Sequence, residues 1–310
     1  MIERISTLGM SREEWLEARR RGIGGSDVSA ILGLNPYRSS LSIYMDKTGV
    51  IPVDAESMSE QAYWGTVLEE PIARRFAEKH PELTVRRNNH ILINSDYPFA
   101  LANIDREIRD GDETYGLEIK TVGLRSAKFW EDEDVPLAYV LQVSHYMMVT
   151  GWKKFYIAAL VGGQKYIERT ILRDENIIAT LAKREQEFWT MVQTLTPPEA
   201  DGSVNYAEML KALYPEAVKG KTINLPSDMS GTLDGYLSLD ELVKDAKENL
   251  DEVTRKRDMF KQELIKVIGD AERAVLGNTE ITYKNVSRPE HMVKATTFRQ
   301  FRLKQLKEEQ

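Results

Sequence analysis

The sequence predicts an α/β fold, a mixed central sheet flanked by helices, followed by a separate C-terminal arm. Three observations predict it. Two pairs of short apolar runs, residues 101–108 with 115–122 and 153–161 with 165–172, each flank a glycine-bearing turn and read as β-hairpins. Stretches with apolar residues three and four apart, at 60–80, 136–150 and 174–195, read as helices that cover such a sheet. After Pro197-Pro198 the composition turns polar and then heptad-like. The chain therefore divides into an α/β domain over 1–200, a linker over 201–226 and a C-terminal arm over 227–310, with a long helix, short strands and a basic tail.

Taken in order, Ser11-x-x-Glu14 is a capping box that opens a short helix through Arg20, with Trp15 packing inward. Residues 22–26 form a loop into a second helix near 27–32. Its glycines let the backbone approach a ligand, and free N–H groups at a helix start attract phosphate. Arg19 adds a bidentate phosphate fork and Ser26 a hydroxyl. The same residues also read as a capped helix with a surface arginine, and Arg20 or Arg21 could take the place of Arg19. A loop with little pattern spans 49–60. In the helix at 60–80, Trp64, Leu68, Ile72 and Phe76 recur at helical spacing, and Pro71 predicts a kink or break.

The first hairpin carries the chemistry. If its turn centres between Gly111 and Asp112, antiparallel pairing sets Asp105 opposite Glu118, and Lys120 follows two residues on. Opposed residues, and residues two apart on one strand, share a face. Two facing carboxylates repel unless a cation lies between them. A hard ion such as Mg²⁺ takes oxygen ligands and keeps several waters. The ammonium of Lys120 can polarise a water or steady charge on a phosphate. A metal-assisted phosphodiester hydrolase follows. The competing reading is an exposed hairpin with ordinary cross-strand charge pairs.

Further along, Gln142 and Tyr146 share one face of the 136–150 helix; the competing reading is a helix that packs Val140, Val143 and Met147 inward and leaves Gln142 at the edge. Arg125, just beyond the hairpin, is a candidate contact for the cut strand. Near the end, Leu239, Leu242, Ala246, Leu250, Val253, Phe260, Leu264 and Val267 step by three and four, interrupted by Arg257, on a helix of some 30 residues ending near Gly269. Residues 274–276 and 281–286 read as short strands. Between Tyr283 and Lys307, Lys284, Arg288, Lys294, Arg299, Arg302, Lys304 and Lys307 stand against a single acid, Glu290.

At 310 residues with 42% hydrophobic and 29% charged, the composition is that of a soluble globular protein. No apolar run reaches the roughly 20 residues that span a bilayer. The N-terminus lacks the features of a signal peptide. Cysteine is absent, which points to a cytoplasmic setting and excludes a cysteine-held iron–sulfur cluster. A net charge of −7 runs against general DNA binding, yet the basic knots Arg19-Arg20-Arg21, Arg74-Arg75 and Arg86-Arg87 would suit a cationic channel in an acidic exterior.

Asp105 followed by Glu118-Ile119-Lys120 resembles the PD-(D/E)XK nuclease signature, with Ile104 where a proline often stands. Trp15-Leu16-Glu17-Ala18-Arg19, Gly22-Ile23-Gly24-Gly25-Ser26-Asp27 and Ile31-Leu32-Gly33-Leu34-Asn35-Pro36-Tyr37 resemble the opening of YqaJ-type viral recombinase nucleases, relatives of the bacteriophage lambda exonuclease. Trp64-Gly65-x-x-x-Glu69 and Gln142-x-x-x-Tyr146 fall where that family has its other motifs. The likeness runs from residue 15 to 146 and fades after about residue 195.

The resemblance implies a restriction-endonuclease-like core in which Asp105, Glu118 and the Ile119 carbonyl hold Mg²⁺, with Mn²⁺ as a substitute. Glu69, selected over Glu70 by the tryptophan–glycine motif, would help them. It further implies that Lys120 and Gln142 orient the attacking water, that Arg19 and Ser26 hold a 5′-phosphate, and that Tyr146 lies on the DNA side. By the same resemblance, a phage or prophage enzyme in the bacterial cytoplasm would degrade one strand of linear double-stranded DNA from its 5′ end. A 3′ overhang would be left for a single-strand annealing protein, and a homotrimeric ring would make digestion processive. Two rivals are a PD-(D/E)XK endonuclease and a non-catalytic DNA-binding subunit.

Overall fold

The computed structural model describes residues 1–51, 59–130 and 134–285. They fall in two compact units, Met1–Tyr214 and Pro215–Gln310. Most of the expected loop at 49–60 and the basic tail from Arg288 onward lie outside the described residues. Among the described residues, no helix is long and apolar enough to cross a membrane.

The first unit opens with strand β1 (Ile2–Ser6), helix α1 (Arg12–Arg20), the two-residue strand β2 (Ile23–Gly24), α2 (Gly25–Ile31), α3 (Ser40–Lys47) and α4 (Glu60–Lys79). Five strands follow: β3 (Thr84–Arg87), β4 (His90–Asn94), β5 (Tyr97–Asn103), β6 (Arg106–Asp110) and β7 (Glu113–Val122). A 3₁₀ turn at Leu124–Trp130 leads to α5 (Leu137–Thr150), the hairpin β8 (Lys154–Val161) and β9 (Lys165–Leu172), and helices α6 (Glu175–Gln193) and α7 (Val204–Leu213).

The strands form a four-stranded sheet, β1-β4-β5-β2, and a five-stranded sheet, β3-β6-β7-β8-β9. Both are mixed: β2 runs parallel to β5 and β7 to β8, and the remaining pairs are antiparallel. The chain crosses between the sheets twice at one level, through Asn88-Asn89 and through Ile104-Asp105. The run 101–108, expected as one strand, is therefore two strands that belong to different sheets. Asp105 sits at the corner between them.

Alternation along β7 sorts the faces of the larger sheet. Leu117 and Ile119 join Ile108, Ala158 and the α4 residues Ile72, Ala73 and Phe76 in one apolar cluster. Residues of the opposite register, such as Phe155, Ile157 and Val161, pack with α5 and α6 in the main core. Glu118 and Lys120 consequently point toward α5. Helix α5 is buried from Leu141 through Thr150, so Gln142 is enclosed rather than at an edge.

Several other expectations are corrected. Of the kink or break expected at Pro71, the break is absent: α4 continues through it, with the missing N–H falling opposite the exposed Val67. Trp15 is half-buried, with the Arg19 guanidinium stacked 4.9 Å from its ring centre. The loop at 22–26 contains β2 and the start of α2, because Ile23 and Gly24 pair with Ala100 and Leu101. Part of the expected linker is α7, capped by Ser203 and anchored by buried Tyr206, whose hydroxyl donates to the Pro198 carbonyl at 2.9 Å. The capping box at Ser11 and Glu14 is present as read.

In the second unit, a 3₁₀ turn at Ser227–Met229 leads into helix α8 (Ser230–Ile268), and β10 (Arg273–Leu276) pairs with β11 (Thr279–Thr282). The heptad stripe lies on this single helix. At 39 residues it exceeds the length that the stripe alone indicated, and spans about 58 Å at 1.5 Å per residue.

Candidate active site

The turn between β6 and β7 sets the register. Arg106 pairs with Leu117 and Asp110 with Glu113, so one step further Asp105 stands opposite Glu118. Asp105 accepts from the Ile119 N–H at 2.8 Å. Glu118 is buried, and its Oε1 accepts from Lys120 Nζ at 2.6 Å and from Gln142 Nε2 at 2.7 Å. Lys120 also donates to Gln142 Oε1 at 3.0 Å, and Gln142 Nε2 to the Tyr146 hydroxyl at 3.0 Å. Two strand residues and two helix residues thus close one network.

Its electrostatics ask for a further positive charge. Burial and the facing Glu118 push the Asp105 carboxyl well above the usual range, against the pull of Lys120 and the Ile119 N–H. Burial would lower the Lys120 ammonium, but Glu118 and Asp105 outweigh it and hold its pKa above the ordinary value. Burial, with Glu118 and Asp105 nearby, keeps the Tyr146 phenol protonated far beyond neutral pH. Glu118 Oε2 is buried, and among the described residues no group donates to it. An acceptor without a donor, beside a second carboxylate, fits a hard divalent cation.

Glu69 borders the same cavity as Asp105. Its carboxylate, however, pairs with Arg106 and, at 3.5 Å, with Arg87. Arg106 is buried and also holds Glu70 at 2.9 Å. The alternation explains this: Arg106 shares the α4 face with Leu117, while Asp105 faces the other way. Among the described residues, no group of three or more His, Cys, Asp or Glu side chains is placed to hold a metal ion. Arg106 had no sequence signal, because its partners lie on a helix 36 and 37 residues earlier.

On α1 and α2, Arg19 Nη2 donates to Ser26 Oγ at 2.9 Å. Arg20 is occupied by Glu17, Asp46 and the Ile51 carbonyl. Arg21 borders a different cavity with Leu8, Met10 and Leu101. Behind Arg19 lies an acid that sequence reasoning left without a role. Buried Asp27 accepts from Lys47 at 2.9 Å, Arg38 at 3.1 Å and the Gly24 N–H at 3.1 Å, with Arg19 4.0 Å away. Burial would raise its carboxyl, but these cations hold it well below the usual carboxylate range. Arg125 is exposed on the 3₁₀ turn, and among the described residues no hydrogen bond or ion pair joins it to either group.

One glycine ties the two groups together. A Cβ at Gly25 would lie 2.6 Å from Tyr146 Cε1 and 3.1 Å from Gln142 Cγ, so α2 reaches α5 only through a bare backbone. Gly25→Ala is expected to destabilise the protein by about 1–3 kcal/mol, measured by denaturant unfolding, because the packed ring cannot retreat.

Comparison with known proteins completes the picture. A YqaJ-like viral recombinase domain profile matches residues 14–153. The protein YqaJ of Bacillus subtilis (strain 168) is 40% identical over 280 residues, 89% of this chain and 84% of its own. Among solved structures, an alkaline exonuclease from Laribacter hongkongensis matches with a TM-score of 0.50 and 17% identity, over 65% of this chain and 98% of its own. A crystal structure of LHK-Exo in complex with dAMP gives 0.51 and 18%, over 66% and 98%. At these identities, the structural likeness establishes a shared fold.

Proposed function

The chain belongs to the YqaJ-like viral recombinase family, and from that premise we propose that it is a metal-dependent exonuclease acting on the ends of linear double-stranded DNA. The observation that carries this reading is the unpartnered, buried Glu118 Oε2 beside Asp105, Lys120 and Gln142. A binding surface for DNA has no use for two enclosed carboxylates that repel phosphate.

Asp105, Glu118 and the Ile119 carbonyl would hold Mg²⁺, or Mn²⁺ in its place. In an extended strand the N–H and C=O of one residue leave by the same edge, so that carbonyl and the N–H bound to Asp105 share an edge. Glu69 would join only by yielding its bond to Arg106. Bound there, the ion would lower the pKa of a water and polarise the phosphoryl oxygen. Lys120, kept as an ammonium, donates toward that water or the phosphate, and Gln142 fixes the direction of Lys120. Arg19 and Ser26 grip the 5′-phosphate, with Asp27 fixing the guanidinium, and Tyr146 closes the site behind Gln142. Arg125 is assigned to the cut strand. Cutting from the 5′ end would leave a 3′ overhang for a single-strand annealing protein, and a homotrimer would keep the enzyme on its substrate.

The test is digestion with Mg²⁺ of linear duplexes bearing 5′-phosphate or 5′-hydroxyl ends, beside a closed circle. Preferred cutting of phosphorylated ends supports the proposal. Equal cutting of the circle would make the protein an endonuclease. Arg19→Ala should remove the preference, a loss of about 10- to 100-fold for a charge-assisted contact of about 1.5–3 kcal/mol. Arg20→Ala should keep it.

A further inference from the structure

Next to Asp105, on the side away from Glu118, stands Asn88. Arg87 pairs with Arg106 across β3 and β6, and Arg106 with Leu117 across β6 and β7. One step beyond both ladders, where the chain leaves the sheet, Asn88 follows β3 and Asp105 precedes β6, with Glu118 next along β7. Backbone contact agrees, since the Asn88 N–H points to the Asp105 carbonyl at 3.5 Å.

The orientation of the amide is fixed. Asn88 Oδ1 accepts from the His90 N–H at 3.1 Å, which only an oxygen can do, so Nδ2 is the free end. Nδ2 is buried, and no group among the described residues accepts from it. Asn88 lines a cavity of about 230 Å³ together with Asp105, Glu69, Arg87 and Trp15. Trp15 in turn carries Arg19 on its ring. The cavity is therefore bordered both by Asp105 and by the tryptophan that carries the arginine assigned to the 5′-phosphate.

We propose that Asn88 is a substrate-binding residue, whose Nδ2 donates to a nonbridging phosphate oxygen of the strand being cut, beside Asp105. The proposal rests on the nuclease reading. A buried donor needs an acceptor, and in a cavity bordered by the cutting site the available acceptor is a phosphate oxygen. A neutral amide suits this place better than a lysine, because it attracts phosphate without displacing the cation that the carboxylates hold.

The experiment is steady-state cleavage of 5′-phosphorylated duplex at saturating Mg²⁺ for wild type, Asn88→Ala and Asn88→Asp, with melting temperatures alongside. Asn88→Asp keeps the bond to the His90 N–H and replaces the donor with an anion, so it decides the matter if the alanine variant folds poorly. The expected result is a KM raised by about tenfold or more, with kcat changed far less. An unchanged KM in both variants would overturn the proposal while leaving the nuclease reading intact. A fall in kcat alone would also overturn it, because Asn88 would then act only through Asp105. Failure of the wild type to cleave would overturn both.

Discussion

Lys120→Ala is expected to slow DNA cleavage by about 10²–10³-fold, the usual loss when one preorganised donor is removed from a reacting centre. The ammonium is fixed from three sides. It lies 2.6 Å from Glu118 Oε1, 3.0 Å from Gln142 Oε1 and 5.0 Å from the ring centre of Tyr139. Alanine leaves the carboxylates in place for the cation but removes the charge aimed at water or phosphate. Single-turnover cleavage of an end-labelled duplex reads the loss, and binding of the same duplex checks that the DNA site survives. Binding should stay within a few-fold of wild type, because Arg19 and Ser26, proposed to hold the 5′-phosphate, are on other elements. A protein that only binds DNA would be indifferent to the change.

The largest stability effect is expected at Glu185. His145 is fully buried on α5, with Nδ1 2.9 Å from both Glu185 oxygens and Nε2 3.0 Å from the Leu101 carbonyl. Both ring nitrogens face acceptors, which the imidazolium satisfies and the neutral ring cannot. Burial would lower the pKa, but the Glu185 charge and hydrogen bond, with the Leu101 carbonyl, outweigh it and raise it. Glu185→Ala should cost about 3–5 kcal/mol, the typical penalty for breaking a buried pair. The sign with pH follows from the raised folded value. The pair contributes fully below the unfolded His pKa of about 6.5, and its contribution fades as pH rises through the folded value. Denaturant unfolding of wild type and variant across this range should show the gap narrowing upward in pH. Since His145 ties α5 to β5, the strand that leads to Asp105, the variant should also lose activity.

Local patterns were the legible part. Gly111 and the strand periods determined that Asp105 would oppose Glu118, because a two-residue turn leaves one register that buries the apolar faces. The capping box at Ser11 needs only four residues to be read. What was hidden depends on distant partners. The break at Ile104-Asp105 comes from a change of sheet, which a continuous apolar run does not disclose. Arg106 and Glu69 pair across 37 residues, and Asp27 meets Lys47 only once α3 has packed. The direction of Trp15 is likewise tertiary: its ring meets Arg19 and the Asp105 cavity instead of the core. The arginine knot at Arg86-Arg87 read only as basic character, yet the strands around it carry Asn88 to the site.

Release of label from linear duplex in the presence of Mg²⁺, with 5′-labelled and 3′-labelled substrates compared, tests the central claim most directly. The expected result is immediate release of the 5′ label as small product, with the 3′ label retained on a shortening strand and no release after chelation. Absence of release from either end, with Mg²⁺ or Mn²⁺, would contradict it.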